Sequence, residues 1–170
     1  NMAWNTSFMW DGGVNHIDLQ ALAPITDANE MDETLANVVE KLKSSENYNS
    51  LFSKVHSDGE ITGQRTLLAL TQFVVMFNSY NSKYDKYIRN ESKNTFTSQE
   101  KNGLQIFRQH CATCHTEPLL TNNQFENNGL KVDTTLNDYG RYFITNNPKD
   151  SLKFKAVSYT HLTLPTKFVV

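Results

Sequence analysis

Apolar residues in this chain recur mostly at helical spacing. Between Glu30 and Ser45, Leu35, Val38, Val39 and Leu42 fall at i, i+3, i+4 and i+7, the stripe of an amphipathic helix. A shorter helix is predicted around Tyr48 to Val55. Gly59 and Gly63 punctuate a turn, and Thr62 is placed to cap a long helix running to about Tyr80 through Leu67, Leu68, Leu70, Phe73, Val74 and Phe77. Its apolar positions cover more than one side, so that helix is expected to be central. Asn78 to Thr97 is polar, rich in Asn and Ser, and reads as a linker. Next comes TSQE, a capping box with Thr97 as N-cap and Glu100 three residues on, opening a helix through Leu104, Ile106 and Phe107 to Cys111. The chain is then loop-rich and Asn-rich up to Tyr139, with one weak strand candidate at Tyr142 to Thr145 and no internal repeat. The pattern predicts an all-α fold.

Composition changes this picture little. The 170 residues are 38% hydrophobic and 20% charged, ordinary for a globular protein of one or two small domains. The net charge of -2 is uneven, with ten acidic and three basic side chains in the first 60 residues. That asymmetry suits solvated surface or, alternatively, steering of a charged partner, and nothing is basic enough for nucleic acid. No apolar run reaches a membrane span, and NMAWNTSFMW has neither the basic region nor the apolar core of a signal peptide. At the other end, Val157 to Thr166 read VSYTHLTLPT, which back-translates into what looks like a transposase-end adapter from sequencing-library preparation. Residues 156–170 are therefore expected to be read-through, the natural chain continuing beyond Lys155 and beginning upstream of Asn1. The alternative is a Thr-rich, β-leaning terminal segment.

The candidate chemistry lies in QHCATCHTEP, where Cys111, Cys114 and His115 form Cys-x-x-Cys-His, the attachment signature of a c-type haem. Two thiols one turn apart can add to the two vinyl groups, and the histidine that follows can ligate the iron. Zinc fits worse: there are no further cysteines, and only His110 and His115 would complete a cramped Cys2His2 set. A thioredoxin-like thiol pair would follow a strand, whereas a helix precedes Cys111. The histidine after the second cysteine is required by the haem reading alone. A capped helix feeding this motif, followed by loops that wrap a large apolar cofactor, is how a cytochrome c domain begins.

Several blocks taken in order carry a wider resemblance: FMWDGG at Phe8 to Gly13, LQALAPITDANEM at Leu19 to Met31, ALTQF at Ala69 to Phe73, NSKYDKYI at Asn81 to Ile88, the haem motif, DYGRYFIT, and LKFK ending at Lys155. Over about residues 3 to 155 the chain resembles the bacterial di-haem cytochrome c peroxidases, a family that includes the MauG-type enzymes. The resemblance implies two cytochrome-c-like helical domains, each truncated here. Residues 1–92 would be the C-terminal part of a peroxidatic haem domain, and 93–155 the N-terminal part of the domain holding the electron-receiving haem. Cys111, Cys114 and His115 would hold that haem c, with His115 on the iron. The catalytic haem and its distal histidine would belong to sequence upstream. The sixth ligand of the electron-receiving haem, a methionine in the peroxidases, is expected downstream, because Met2, Met9, Met31 and Met76 all precede Cys111. Met76 is then expected to pack in the core.

The same resemblance implies roles for three residues. Trp10 matches the tryptophan between the two haems, where its ring would aid electronic coupling; plain core packing with one indole hydrogen bond is the alternative. Gln20 and Glu30 match the residues lining the peroxide pocket, an amide to orient H2O2 and a carboxylate to take its proton and return it to the leaving oxygen. Read without the resemblance, Glu30 is a helix N-terminal acid and Gln20 a surface polar residue. His16 is expected to be a loop histidine and not an iron ligand. Arg141 is expected either to pair with a haem propionate or to form a surface ion pair. The implied function is peroxide reduction to water in the periplasm, fed by a small cytochrome c or copper protein. A calcium ion in the full-length protein and a homodimer are further implications. The alternatives are a MauG-type oxidase and a single-haem electron carrier that is not an enzyme.

Overall fold

The computed structural model describes residues 1–91, 93 and 95–156, and the segment VSYTHLTLPT lies outside them. The described chain is helix-rich with very little sheet. A single 3-10 turn at Met2–Trp4 precedes α1 (Ile17–Gln20), α2 (Leu22–Thr26), α3 (Leu35–Lys43), α4 (Glu46–Val55) and α5 (Gly63–Val75). The Oγ1 of Thr34 accepts from Asn37 N at 3.1 Å and that of Thr62 from Arg65 N at 3.2 Å, so both helices open on side-chain caps. α3 therefore begins at Leu35, the first residue of its apolar stripe, and not at Glu30, where the predicted segment opened. The preceding residues form a turn in which Glu30 N and Asp32 N both donate to Asp27 O, at 3.1 and 3.0 Å.

α5 packs against α1, α3 and the first 3-10 turn, as its central position in the sequence pattern predicted. Only one stripe of it is buried, however: Thr66, Leu67 and Thr71. Phe73 is exposed, and the helix stops at Val75, short of Tyr80. Beyond it Met76 is 71% exposed, which overturns its expected place in the core.

The expected linker is not featureless. Within it Ser82 and Asp85 form a capping box that opens α6 (Lys83–Ile88). Asp85 N donates to Ser82 Oγ at 3.2 Å and Ser82 N to Asp85 Oδ2 at 2.8 Å. α7 (Ser98–His110) opens on the predicted box of Thr97 and Glu100. Lys83 Nζ reaches both Glu100 carboxylate oxygens at 2.7 Å, tying the start of α6 to the start of α7.

After α7 the chain is mostly loop. β1 (Phe125–Glu126) pairs antiparallel with β2 (Phe154–Lys155), Phe125 opposite Lys155 and Glu126 opposite Phe154. Tyr142–Thr145, the strand candidate, is instead the short helix α8. Its β-leaning composition is overridden by helical spacing of rings, Tyr139 meeting Tyr142 at 6.4 Å and Phe143 at 5.8 Å, and by Asn146 at φ 54°, a left-handed helix stop. Among the described residues the buried apolar side chains are Phe8, Ile25, Val39, Ile61, Leu67, Leu104 and Ala156.

Candidate haem site and adjoining cavities

Cys111 is the C-cap of α7, its N–H donating to Phe107 O at 2.8 Å. One further tight turn follows, Cys114 N and His115 N donating to Cys111 O at 3.2 and 2.9 Å. The two thiols are not joined in a disulfide and are partly exposed. His115 Nδ1 lies 3.1 Å from Leu120 O. A carbonyl only accepts, so Nδ1 carries the proton, the tautomer in which an imidazole ligates a metal through Nε2. Asn122 closes the loop behind the motif, its N–H donating to Cys114 O at 2.9 Å and its Nδ2 to Thr113 O at 3.3 Å and Glu126 Oε1 at 3.1 Å. Unlinked thiols beside an oriented imidazole fit a covalently held haem: Cys111 and Cys114 would form its thioethers and His115 its proximal bond. Among the described residues, no three His, Cys, Asp or Glu side chains converge as a closed zinc site requires.

A cluster beside the motif escaped the sequence reading. Arg108, in the last turn of α7, donates to Glu117 through Nε at 2.8 Å and Nη2 at 3.1 Å, while Tyr84 of α6 donates its hydroxyl to Glu117 Oε1 at 2.5 Å. Arg108, then the Tyr84 hydroxyl, holds the Glu117 carboxyl below the usual range against the cost of burial. Burial, reinforced by Glu117, raises the Tyr84 phenol well above its ordinary value. The only signal in the sequence was an acid two residues past His115.

The resemblance-derived residues fall around three cavities. The first, about 510 Å³, is apolar and is lined by Gln20, Pro24, Ile25, Met31, Val38 and Leu42 among others. A second, about 480 Å³, is bounded by Met9, Trp10, Asp11, Gln20, Asp138 and Phe154. The third, about 370 Å³, is walled by Trp10, Leu130, Leu136, Asp138, Leu152 and Phe154, with others. Gln20 thus borders the first two, and Trp10, Asp138 and Phe154 separate the second from the third. Trp10 is 75% exposed, so the core-packing alternative for it fails. Glu30 is exposed in its turn and does not line the first cavity, although its neighbour Met31 does.

Two other candidates have defined local roles. The Nδ1 of His16 accepts from Asp18 N at 3.2 Å, capping α1. Among the described residues Arg141 forms no ion pair: its Nη1 donates to Asp11 O at 3.0 Å and Gly12 O at 3.1 Å, and its guanidinium lies 4.1 Å from the centre of the Phe125 ring.

A helix-rich fold that presents Cys-x-x-Cys-His at the end of a capped helix, with the histidine oriented through Nδ1, defines a c-type haem protein. Residues 1–93 match the family described as di-haem cytochrome c peroxidase, and the chain belongs to that family. It is 31% identical over 134 residues to the methylamine utilization protein MauG of Methylophilus methylotrophus, an alignment covering 76% of this chain and 40% of the relative. With the cytochrome c peroxidase Ccp of Escherichia coli it shares 29% identity, over 99% of this chain and 37% of the relative. The chain therefore spans well under half the length of these relatives. In fold it is similar to a MauG-like protein associated with microbial copper homeostasis, at a TM-score of 0.79 and 24% identity, covering 91% of this chain and 51% of that one.

Proposed function

We propose that this chain is part of a di-haem enzyme that reduces hydrogen peroxide to water, and that it carries the electron-receiving haem on Cys111, Cys114 and His115. The observation that carries this reading is the Cys111, Cys114 and His115 motif at the end of a capped helix, in a chain where Gln20 borders two cavities and Trp10 is shared by two. Residues 1–92 would be part of the peroxidatic domain and 93–155 part of the cytochrome c domain, with the second haem carried by sequence outside this chain. Haem c, when bound, accepts and passes single electrons. The chain's own residues would do the rest. Trp10 would bridge the two compartments with an aromatic ring, Gln20 would orient the peroxide through its amide, and Glu30 would move a proton from one peroxide oxygen to the other. The turn that holds Glu30 outside the first cavity would have to move inward for that step.

Electron donors would be a small cytochrome c or a copper protein, and the compartment the periplasm, where haem c is attached. Calcium in the full-length protein and a homodimer belong to the same reading. The test is peroxide turnover by the full-length protein: Glu30→Gln should lower kcat on the order of 10²- to 10⁴-fold, the usual worth of a general acid-base group. Unchanged turnover would remove Glu30 from the mechanism. The 170-residue chain with one haem is expected to be inactive, and turnover by it would overturn the two-haem assignment. A second reading, a MauG-type oxidase of a protein or other organic substrate, is favoured by the 31% identity to a MauG. Peroxide consumption that requires an organic substrate and ignores reduced cytochrome c would select it.

A further inference from the structure

The loop that carries Trp10 is closed by Phe8 and Val14, whose N–H groups donate to each other's carbonyls at 2.7 and 3.4 Å. Phe8 anchors it, only 4% exposed. Two distant residues take up three of its other carbonyls and that of Ser7 just before it. Lys155 N donates to Trp10 O at 2.7 Å, and Lys155 Nζ donates to Ser7 O, 148 positions away. Arg141 Nη1 takes Asp11 O and Gly12 O together, at 3.0 and 3.1 Å, across 130 and 129 positions. The guanidinium is steadied by Phe125 of β1, and β1 pairs with the strand that bears Lys155. Gly12 shows how close the fit is. At φ 74° it already excludes most side chains, and a Cβ there would lie 2.3 Å from Phe125 Cζ and 2.4 Å from Arg141 Nη1. The backbone of the loop is thus gripped while the indole itself stands exposed between two cavities.

We infer that Arg141 and Lys155 are positioning residues: they hold the Trp10 loop against the segment that follows the haem motif and so fix where the indole stands. The inference rests on the reading of Trp10 as the bridging ring. Its force comes from geometry, because a misplacement of about 1 Å can cost roughly 10²-fold in rate when a group acts by position.

Time-resolved fluorescence anisotropy of the full chain tests it, since Trp4 and Trp10 are the two tryptophans. In a Trp4→Phe background, which reports Trp10 alone, Arg141→Leu should enlarge the fast nanosecond depolarisation, and Arg141→Lys should recover part of the loss. In a Trp10→Phe background the same Arg141→Leu change should leave Trp4 unaltered. Gly12→Ala should reproduce the loosening from the other side of the contact. Trp10 anisotropy unchanged by both Arg141→Leu and Gly12→Ala would overturn the inference, as would equal loosening of Trp4 and Trp10. Should Arg141→Leu lose its helical circular dichroism, Arg141→Lys and Lys155→Met decide the matter by the same comparison. Repeating the lifetimes after haem attachment separates the two claims. Failure to attach haem would refute the haem assignment, while anisotropy alone judges the grip on Trp10.

Discussion

Glu117 stands two residues beyond His115 and joins α6 to α7 through Tyr84 and Arg108, yet nothing in its local sequence announces that. Its partners lie 33 and 9 residues earlier, and a contact of that kind exists only after the helices have packed. Removing the phenol donor by Tyr84→Phe should cost about 1 kcal/mol, the net worth of an ordinary hydrogen bond, read by urea unfolding with an unchanged m-value. Charge at exposed sites sets the pH response. Lys41 holds the Glu33 carboxyl near 2, Arg65 that of Asp58 near 2, and Lys83 that of Glu100 near 2, each through a hydrogen bond first. All three values are lowered on folding, so the unfolded chain binds protons first as pH falls. Their contribution is complete above the ordinary carboxylate range and should be lost as pH drops from about 4.5 towards 2, visible as a falling thermal midpoint. Lys155 acts in the same direction at alkaline pH. Burial pulls it from 10.5 to about 8, so the unfolded state holds the extra proton between those values and stability should rise with pH across that window.

Helix starts were the most legible elements, because Thr62 and Thr97 carry their caps in their own sequence. The Ser82 and Asp85 box was legible by the same rule, and was obscured by the surrounding run of Asn, Ser and Lys that reads as linker. Ser82→Ala should therefore destabilise the chain by about 1 kcal/mol, where a linker serine would cost nothing measurable. α8 was illegible for a different reason. Four β-leaning residues were turned into a helix by ring contacts with Tyr139 and by the stop at Asn146, both beyond the reach of composition. α5 illustrates a third limit: periodicity marks which residues are apolar, but only packing partners determine which of them are covered, and Phe73 is not. Of the candidate site, the haem motif was fully legible from spacing. Trp10, Gln20 and Glu30 are candidates only through resemblance, since no local pattern distinguishes them from ordinary surface residues.

At the scale of the whole molecule, the described chain is held together by a modest apolar core and by contacts between residues far apart in sequence. The N-terminal amino group of Asn1 donates to Phe77 O at 2.9 Å and Lys155 closes on the Trp10 loop. With no large side chain fully buried among the described residues, much of the order around the motif is expected to come with haem attachment. Co-expression with a c-type haem attachment system, followed by intact-mass measurement and acid-acetone extraction, tests the central claim most directly. One haem that stays with the polypeptide and a Soret band are expected, with loss of both in Cys111→Ser and Cys114→Ser together. A chain that leaves that system at its bare polypeptide mass, or that releases its haem into the acetone, would contradict that claim.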